Sequence, residues 1–386
     1  MVIYIDKSIG QRDFFTNDEE QMFTELACAH KRGYCYLCGE TTSMDKLRAE
    51  IPLYKNTGFS QYAELGTILK LVETVVVISF NNAQDLPKII KEKINENECS
   101  VRVISVPQAI GYRLNEQCVL LGESLYDCKF YRLIGEHYMH SIRNKIKGIS
   151  ISLKDENGGG DSTFMQLDKC VRKEHHLTFC LTDSDKKHGT SISYCNSPKI
   201  GKTARLLNNT KDSLEKDRLG QLFELYSLDA HEAENLLPLS LLDMLVAGKV
   251  QNAKAGVDFL RKLQEDRINL KEKFPEVILC YDFKNGIDIQ TLRNKSGDPQ
   301  FDKKALLAYW EEVAQIIGSD VFPCVANKAL NLALNQIDEM MLESPNDFLE
   351  LPVDDYLTDY WTAIGKKVFS WGFANTPKAT NPSYCS

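Results

Sequence analysis

The chain lacks any apolar run approaching the ~18 residues that span a bilayer. It lacks an excess of positive charge: 46 basic residues against 54 acidic ones leave a net −8, which excludes a uniformly basic nucleic-acid coat. A local basic groove stays open, because binding depends on where charge sits. No GxxxxGK[ST] occurs, so no P-loop ATPase is expected within the chain. No repeat of fixed period is visible. Cysteine is not scarce, at twelve residues, but metal-ligand spacing is. Cys35 and Cys38 form a CxxC with no second pair and no HxxxH, so a structural zinc is not expected. With no signal-peptide pattern, the expectation is a cytoplasmic, soluble protein with reduced thiols.

What is present is ordinary globular composition, 43% hydrophobic and 26% charged, over 386 residues, room for two or three domains. Residues 1–115 alternate strand and helix signals, with strands expected at 2–5, 34–37, 74–80 (TVVVISF) and 101–105, and helices at 19–30 and 86–94. A second alternating series, 116–230, has strands at 118–121, 149–153, 177–182 and 222–228, and helices after Glu123, at 162–172 and at 199–207. That order predicts a parallel sheet with covered faces. From 231 to 386 the pattern is mostly helical, with helices at 232–247, 253–270, 303–317, 327–342 and 356–373 and a loose tail. The expected fold class is α/β: an N-terminal α/β domain, a central parallel-sheet domain and a mostly helical C-terminal region.

Three features follow successive strands of the central series: Glu123, the cluster Gly158-Gly159-Gly160, and Asp183 with Asp185. Open parallel sheets place ligands at these carboxyl ends. Asp183 and Asp185 project to one side of an extended segment, and Asp127 lies one helical turn beyond Glu123. Converging carboxylates repel unless a cation neutralises them, and hard oxygen donors suit Mg²⁺ or Mn²⁺. Such ions grip phosphate oxygens and activate water for phosphodiester attack.

The stretches LLGESLYD (120–127), ENGGGDST (156–163) and LTDSDKK (181–187) resemble the Toprim domain of topoisomerases, primases and OLD-family nucleases. In that family a Glu follows the first strand and a DxD the third. HEAENLLPL (231–239) looks like the additional acidic helix start of OLD-like Toprim effectors in anti-phage defence. The first motif departs from EGxxD, since here Gly122 precedes Glu123. The resemblance implies metal ligation by Glu123, Asp127, Asp183, Asp185, Glu232 and Glu234. It implies Mg²⁺- or Mn²⁺-dependent endonuclease activity on RNA (tRNA included) or DNA, and a separate ATPase subunit as partner.

Residues 143–218 carry 15 Lys/Arg and 10 Asp/Glu. Lys145, Lys147, Lys154 and Lys187 are therefore candidates to hold a phosphate backbone, and Lys186, beside the DxD, to meet transition-state charge. Glu123, Asp183, Asp185 and Lys186 form the expected catalytic set. His188 is a candidate substrate contact. The competing reading is a non-catalytic scaffold that binds a partner ATPase or nucleic acid, with the N-terminal domain docking under either view.

Overall fold

The computed structural model describes residues 1–55, 66–81, 91–92, 99–187, 202–250, 253–294, 303–344 and 347–377. The expected helix at 86–94 falls mainly outside them, as does His188. The first sheet comprises β1 (Val2–Ile5), β2 (Tyr36–Gly39), β3 (Thr74–Ser79) and β4 (Ser100–Ser105) in the order β2-β1-β3-β4, every pair parallel. The β-branched β3 is buried along its whole length, as a strand covered on both faces should be. The helix Asn17–Arg32 starts at a reciprocal Thr16–Glu19 capping box and stops at Gly33, whose φ of 73° suits glycine.

The central sheet repeats this topology. β5 (Cys118–Gly122), β7 (Leu153–Asn157), β8 (Thr178–Thr182) and β9 (Phe223–Ser227) lie in the order β7-β5-β8-β9, again all parallel. The chain leaves β5 to one side and then crosses to the other, so the order reverses between β5 and β8. Such a switch point opens a crevice at the carboxyl ends of the two strands.

The C-terminal region closes the central sheet. The helix Asp355–Gly372 lies along the helix Leu125–Ser141. Gly365 sits so close that an added Cβ would be 2.6 Å from the Tyr138 Cβ, and glycine at this crossing is required by space. Trp371 stacks on Phe179 of β8 with centroids 5.7 Å apart.

Several expected boundaries shift for physical reasons. The strand at 149–153 divides. β6 (Ile149–Ile151) pairs antiparallel with β10 (Phe373–Asn375), and β7 continues into Asn157. The start of the expected loose tail is thus a strand, and Ser152 N–H donates to the Gly372 carbonyl at the crossover. The helix at 232–247 also divides, into a 3₁₀ turn Ala233–Leu236 and the helix Leu239–Ala247. Pro238 forces the break, holding the residue before it extended and offering no N–H. The helix at 162–172 is α-helical only over Thr163–Asp168 and continues as a π turn, Lys169–Lys173. Cys35 packs in the apolar cluster on one face of the first sheet and Cys38 in the cluster on the other. Burial pushes the Cys35 thiol up to about 12. Among the described residues no helix is long and apolar enough to cross a membrane.

Arg102 of β4 joins the two sheets. Its guanidinium donates to the carbonyls of Gly220 (2.9 Å) and Phe223 (2.6 Å), pairs with Glu224 at 3.4 Å, and lies 4.9 Å over the Trp371 ring. Arg102→Met leaves two part-buried carbonyls without their donor. It should therefore lower unfolding stability by about 2 kcal/mol in a denaturant titration. A loss under about 0.5 kcal/mol, the usual range for surface changes, would show the joint to be incidental.

Candidate active site at the carboxyl ends of the central strands

Glu123 follows β5 directly, and the glycine cluster clasps it. Gly158 N–H donates to the Gly122 carbonyl at 2.8 Å, and Gly159 and Gly160 N–H both donate to the Glu123 carbonyl, at 3.0 and 3.1 Å. Gly159 and Gly160 adopt positive φ, 75° and 59°, and a Cβ on Gly158 would stand 2.6 Å from the Gly122 carbonyl oxygen. These N–H groups are spent on the backbone that carries Glu123, so the cluster fixes a carboxylate and is not a bare phosphate cradle. One turn on, Ser124 and Asp127 form a capping box. The Ser124 N–H donates to Asp127 at 2.8 Å, and the Asp127 N–H donates to the Ser124 hydroxyl at 3.2 Å.

Across the switch point, Asp183 follows β8. Its N–H donates to Glu123 Oε1 at 3.2 Å, and its Oδ1 accepts from the Ala233 N–H at 3.1 Å. Glu123 therefore faces Asp183 and does not turn away across the sheet. Asp185 is exposed and adopts φ 51°, an unusual conformation for a side chain with a Cβ. His231 holds it there: the Asp185 N–H donates to the His231 carbonyl at 3.1 Å, and the His231 side chain is itself buried.

The turn Ala233–Leu236 adds Glu232 and Glu234, and with them a cation. Lys284 Nζ lies 3.2 Å from Glu232 and 3.4 Å from Glu234. Asn235 ties the turn to the carbonyls of Ile278 and Tyr281, both at 2.8 Å. The Asp282 carboxylate accepts from the Lys284 and Asn285 N–H groups, closing the turn that presents Lys284. Buried Tyr131 lies close enough to feel the charges of Asp183, Asp127 and Glu123.

The electrostatics are those of a crowded acid site. Burial, then Asp185 and Asp127, raise Glu123 to about 7 against the opposing Asp183 N–H. Burial raises Asp127 to about 6, with Glu234 adding to it and the Ser124 bonds opposing. Asp183 is pushed well up by burial and by Glu123, Asp127, Glu234 and Glu232. Burial and Glu234 take Glu232 to about 7 despite Lys284. Lys284 itself moves up: burial works against its charge, but Glu234 and Glu232 more than offset that.

The structure thus gathers Glu123, Asp127, Asp183, Asp185, Glu232 and Glu234 into one neighbourhood. The donor set fits a hard divalent cation in chemistry, since it is oxygen-only and short of positive charge. Among the described residues, however, no three such side chains converge on one point as they stand. A cation would have to draw the carboxylates inward, starting from the facing pair Glu123 and Asp183.

The basic residues fall elsewhere. Lys186 is buried and pairs with Asp229 at 3.0 Å, so its ammonium is engaged away from the acids. Lys145 and Lys147 follow the helix Leu125–Ser141 and precede β7, which puts them at the amino end of the sheet, opposite Glu123. Lys154 is the second residue of β7, also toward that end, and lies 3.8 Å from Glu156. Of the lysines suggested by the sequence, Lys187 adjoins the opening, where its charge acts on Asp185 and its carbonyl accepts from Trp310 Nε1 at 2.8 Å. Lys284 and Tyr131 are the site residues that sequence reasoning missed. His137 sits edge-on to Trp361 with ring centroids 5.2 Å apart.

No protein-family model, curated protein or solved structure matches this chain.

Proposed function

We propose that this chain is a Mg²⁺- or Mn²⁺-dependent phosphodiester hydrolase, an endonuclease acting on RNA or DNA. The observation that carries the reading is the facing of Glu123 and Asp183 across the β5/β8 switch point, with Asp127, Asp185, Glu232 and Glu234 around them. Acids packed this closely cost stability unless positive charge joins them, and function accounts for that cost better than folding does. A bound divalent cation would supply Lewis-acid polarisation of a phosphate oxygen and a lowered water pKa. Glu123 and Asp183 would hold it, with Asp127 and Asp185 as further ligands. Glu123, raised to about 7, is also suited to take or return a proton near neutral pH. Lys284 would meet the charge that develops on the phosphate, the part the sequence suggested for Lys186. The Toprim resemblance supplies the setting: a toxic effector in anti-phage defence, paired with a separate ATPase subunit. One observation favours the scaffold reading instead, namely that Glu123 and Asp183 each already accept a main-chain N–H.

The deciding experiment incubates tRNA, single-stranded DNA and duplex DNA with the protein and Mg²⁺ or Mn²⁺. Cleavage by the wild type that Asp183→Ala abolishes supports the enzyme; no cleavage of any substrate supports the scaffold. A paired substitution assigns the lysine. Lys284→Met should cut the cleavage rate about 10²-fold, the scale for removing one transition-state donor. Lys186→Met should change it less than about threefold on the same scale. The reverse ranking would return the role to Lys186.

A further inference from the structure

The first turns of the two helices beside Glu123 carry apolar side chains in water. Leu125 and Tyr126, which directly follow the Glu123-Ser124 pair, are 52% and 46% exposed, and Met165 is 57% exposed. Met165 is the third residue of the helix Thr163–Asp168, which begins just after the glycines that bond the Glu123 carbonyl. All three therefore stand at the carboxyl end of the central sheet, on the turns that flank the acid opening. Leu125 and Tyr126 sit on the turn after β5, Met165 on the turn after β7.

A nuclease of double helices needs a basic track along the phosphates. Of the lysines suggested for that track, Lys145, Lys147 and Lys154 lie toward the other end of the sheet, and Lys187 alone adjoins the opening. Among the described residues, the rim thus offers apolar and aromatic surface beside a single lysine of that set, which is no track along a duplex. Unpaired bases present faces that stack on such side chains, whereas a duplex hides its bases.

We infer that the site takes an unpaired nucleic-acid segment, its bases resting on Tyr126, Leu125 and Met165 while the scissile phosphate faces Glu123 and Asp183. This rests on the hydrolase reading above and narrows its substrate class.

The test measures fluorescence anisotropy of a labelled twelve-nucleotide single strand and of its duplex, in Ca²⁺ to slow cleavage. The single strand should bind at least tenfold tighter. Tyr126→Ala and Met165→Ala should each weaken it about five- to tenfold, the scale of one lost stacking contact. Both positions are exposed, so thermal melts should be unchanged and the loss assignable to contact. Equal affinity for strand and duplex, or full binding by both variants, overturns the inference and leaves the hydrolase reading standing. Cleavage of duplex but not of single strand does the same. If neither nucleic acid binds or is cut, both readings are overturned, and the rim points to a protein partner.

Discussion

Asp183→Ala should reduce cleavage by at least about 10³-fold, since it removes a carboxylate that positions both cation and attacking oxygen. The same change should leave the cation-free protein as stable as the wild type, or more so. Asp183 follows β8, whose five residues are all buried, so the apolar packing ends before it. Its carboxyl is pushed well up by burial and by four neighbouring acids. Ionising it in the folded state is thus unfavourable, and alanine removes that penalty. Against this stands one hydrogen bond, from the Ala233 N–H, worth about 1 kcal/mol net. At pH 7 the relief of repulsion should match or exceed it. Urea titration beside the cleavage assay decides the matter. A variant that unfolds at markedly lower urea marks Asp183 as a structural acid, and one that stays folded and cuts at full rate ends the hydrolase reading.

The acid site was largely legible because its parts follow directly on strands. The buried runs CVLLG and TFCLT announce β5 and β8, and the parallel order they imply brings Glu123 and Asp183 together. Lys284 was not legible. It reaches the acids only because Asn235 bridges to Ile278 and Tyr281, a tertiary bond with no local signal. Lys145, Lys147 and Lys154 lie away from the acids for the converse reason: their charge is evident in the sequence, but their end of the sheet is not. The helix Leu125–Ser141, at 17 residues, carries the chain about 25 Å from Glu123 before Lys145 appears. Strand β6 shows a further limit. Its alternation marks a strand, but nothing in it names Phe373–Asn375 as partner or separates it from β7.

Divalent cation should stabilise the protein more at about pH 8 than at about pH 5, and chelation should abolish cleavage at every pH. The sign follows from the raised carboxyls. Glu123 moves from 4.5 to about 7, Asp127 from 3.8 to about 6, and Glu232 from 4.5 to about 7. Between their unfolded and folded values the native state keeps protons that the unfolded chain has released. Their contribution to stability is therefore fully present below about pH 4 and is lost as the pH climbs toward 7. The cation-free protein should accordingly lose stability across that window. Mg²⁺ or Mn²⁺ competes with those protons, so it binds weakly while they remain and tightly once they have left. At a hundred times its dissociation constant the cation adds about 2.7 kcal/mol. Most of that gain should be seen at pH 8 and little at pH 5. Melts with and without Mg²⁺ or Mn²⁺ at both pH values measure the difference, and proton release on titrating Mn²⁺ into weakly buffered protein gives a second reading. A cation increment that is equal at the two pH values would mean that the ion binds away from these carboxylates. If no increment appears at either pH and cleavage survives chelation, the acids are not a cation site.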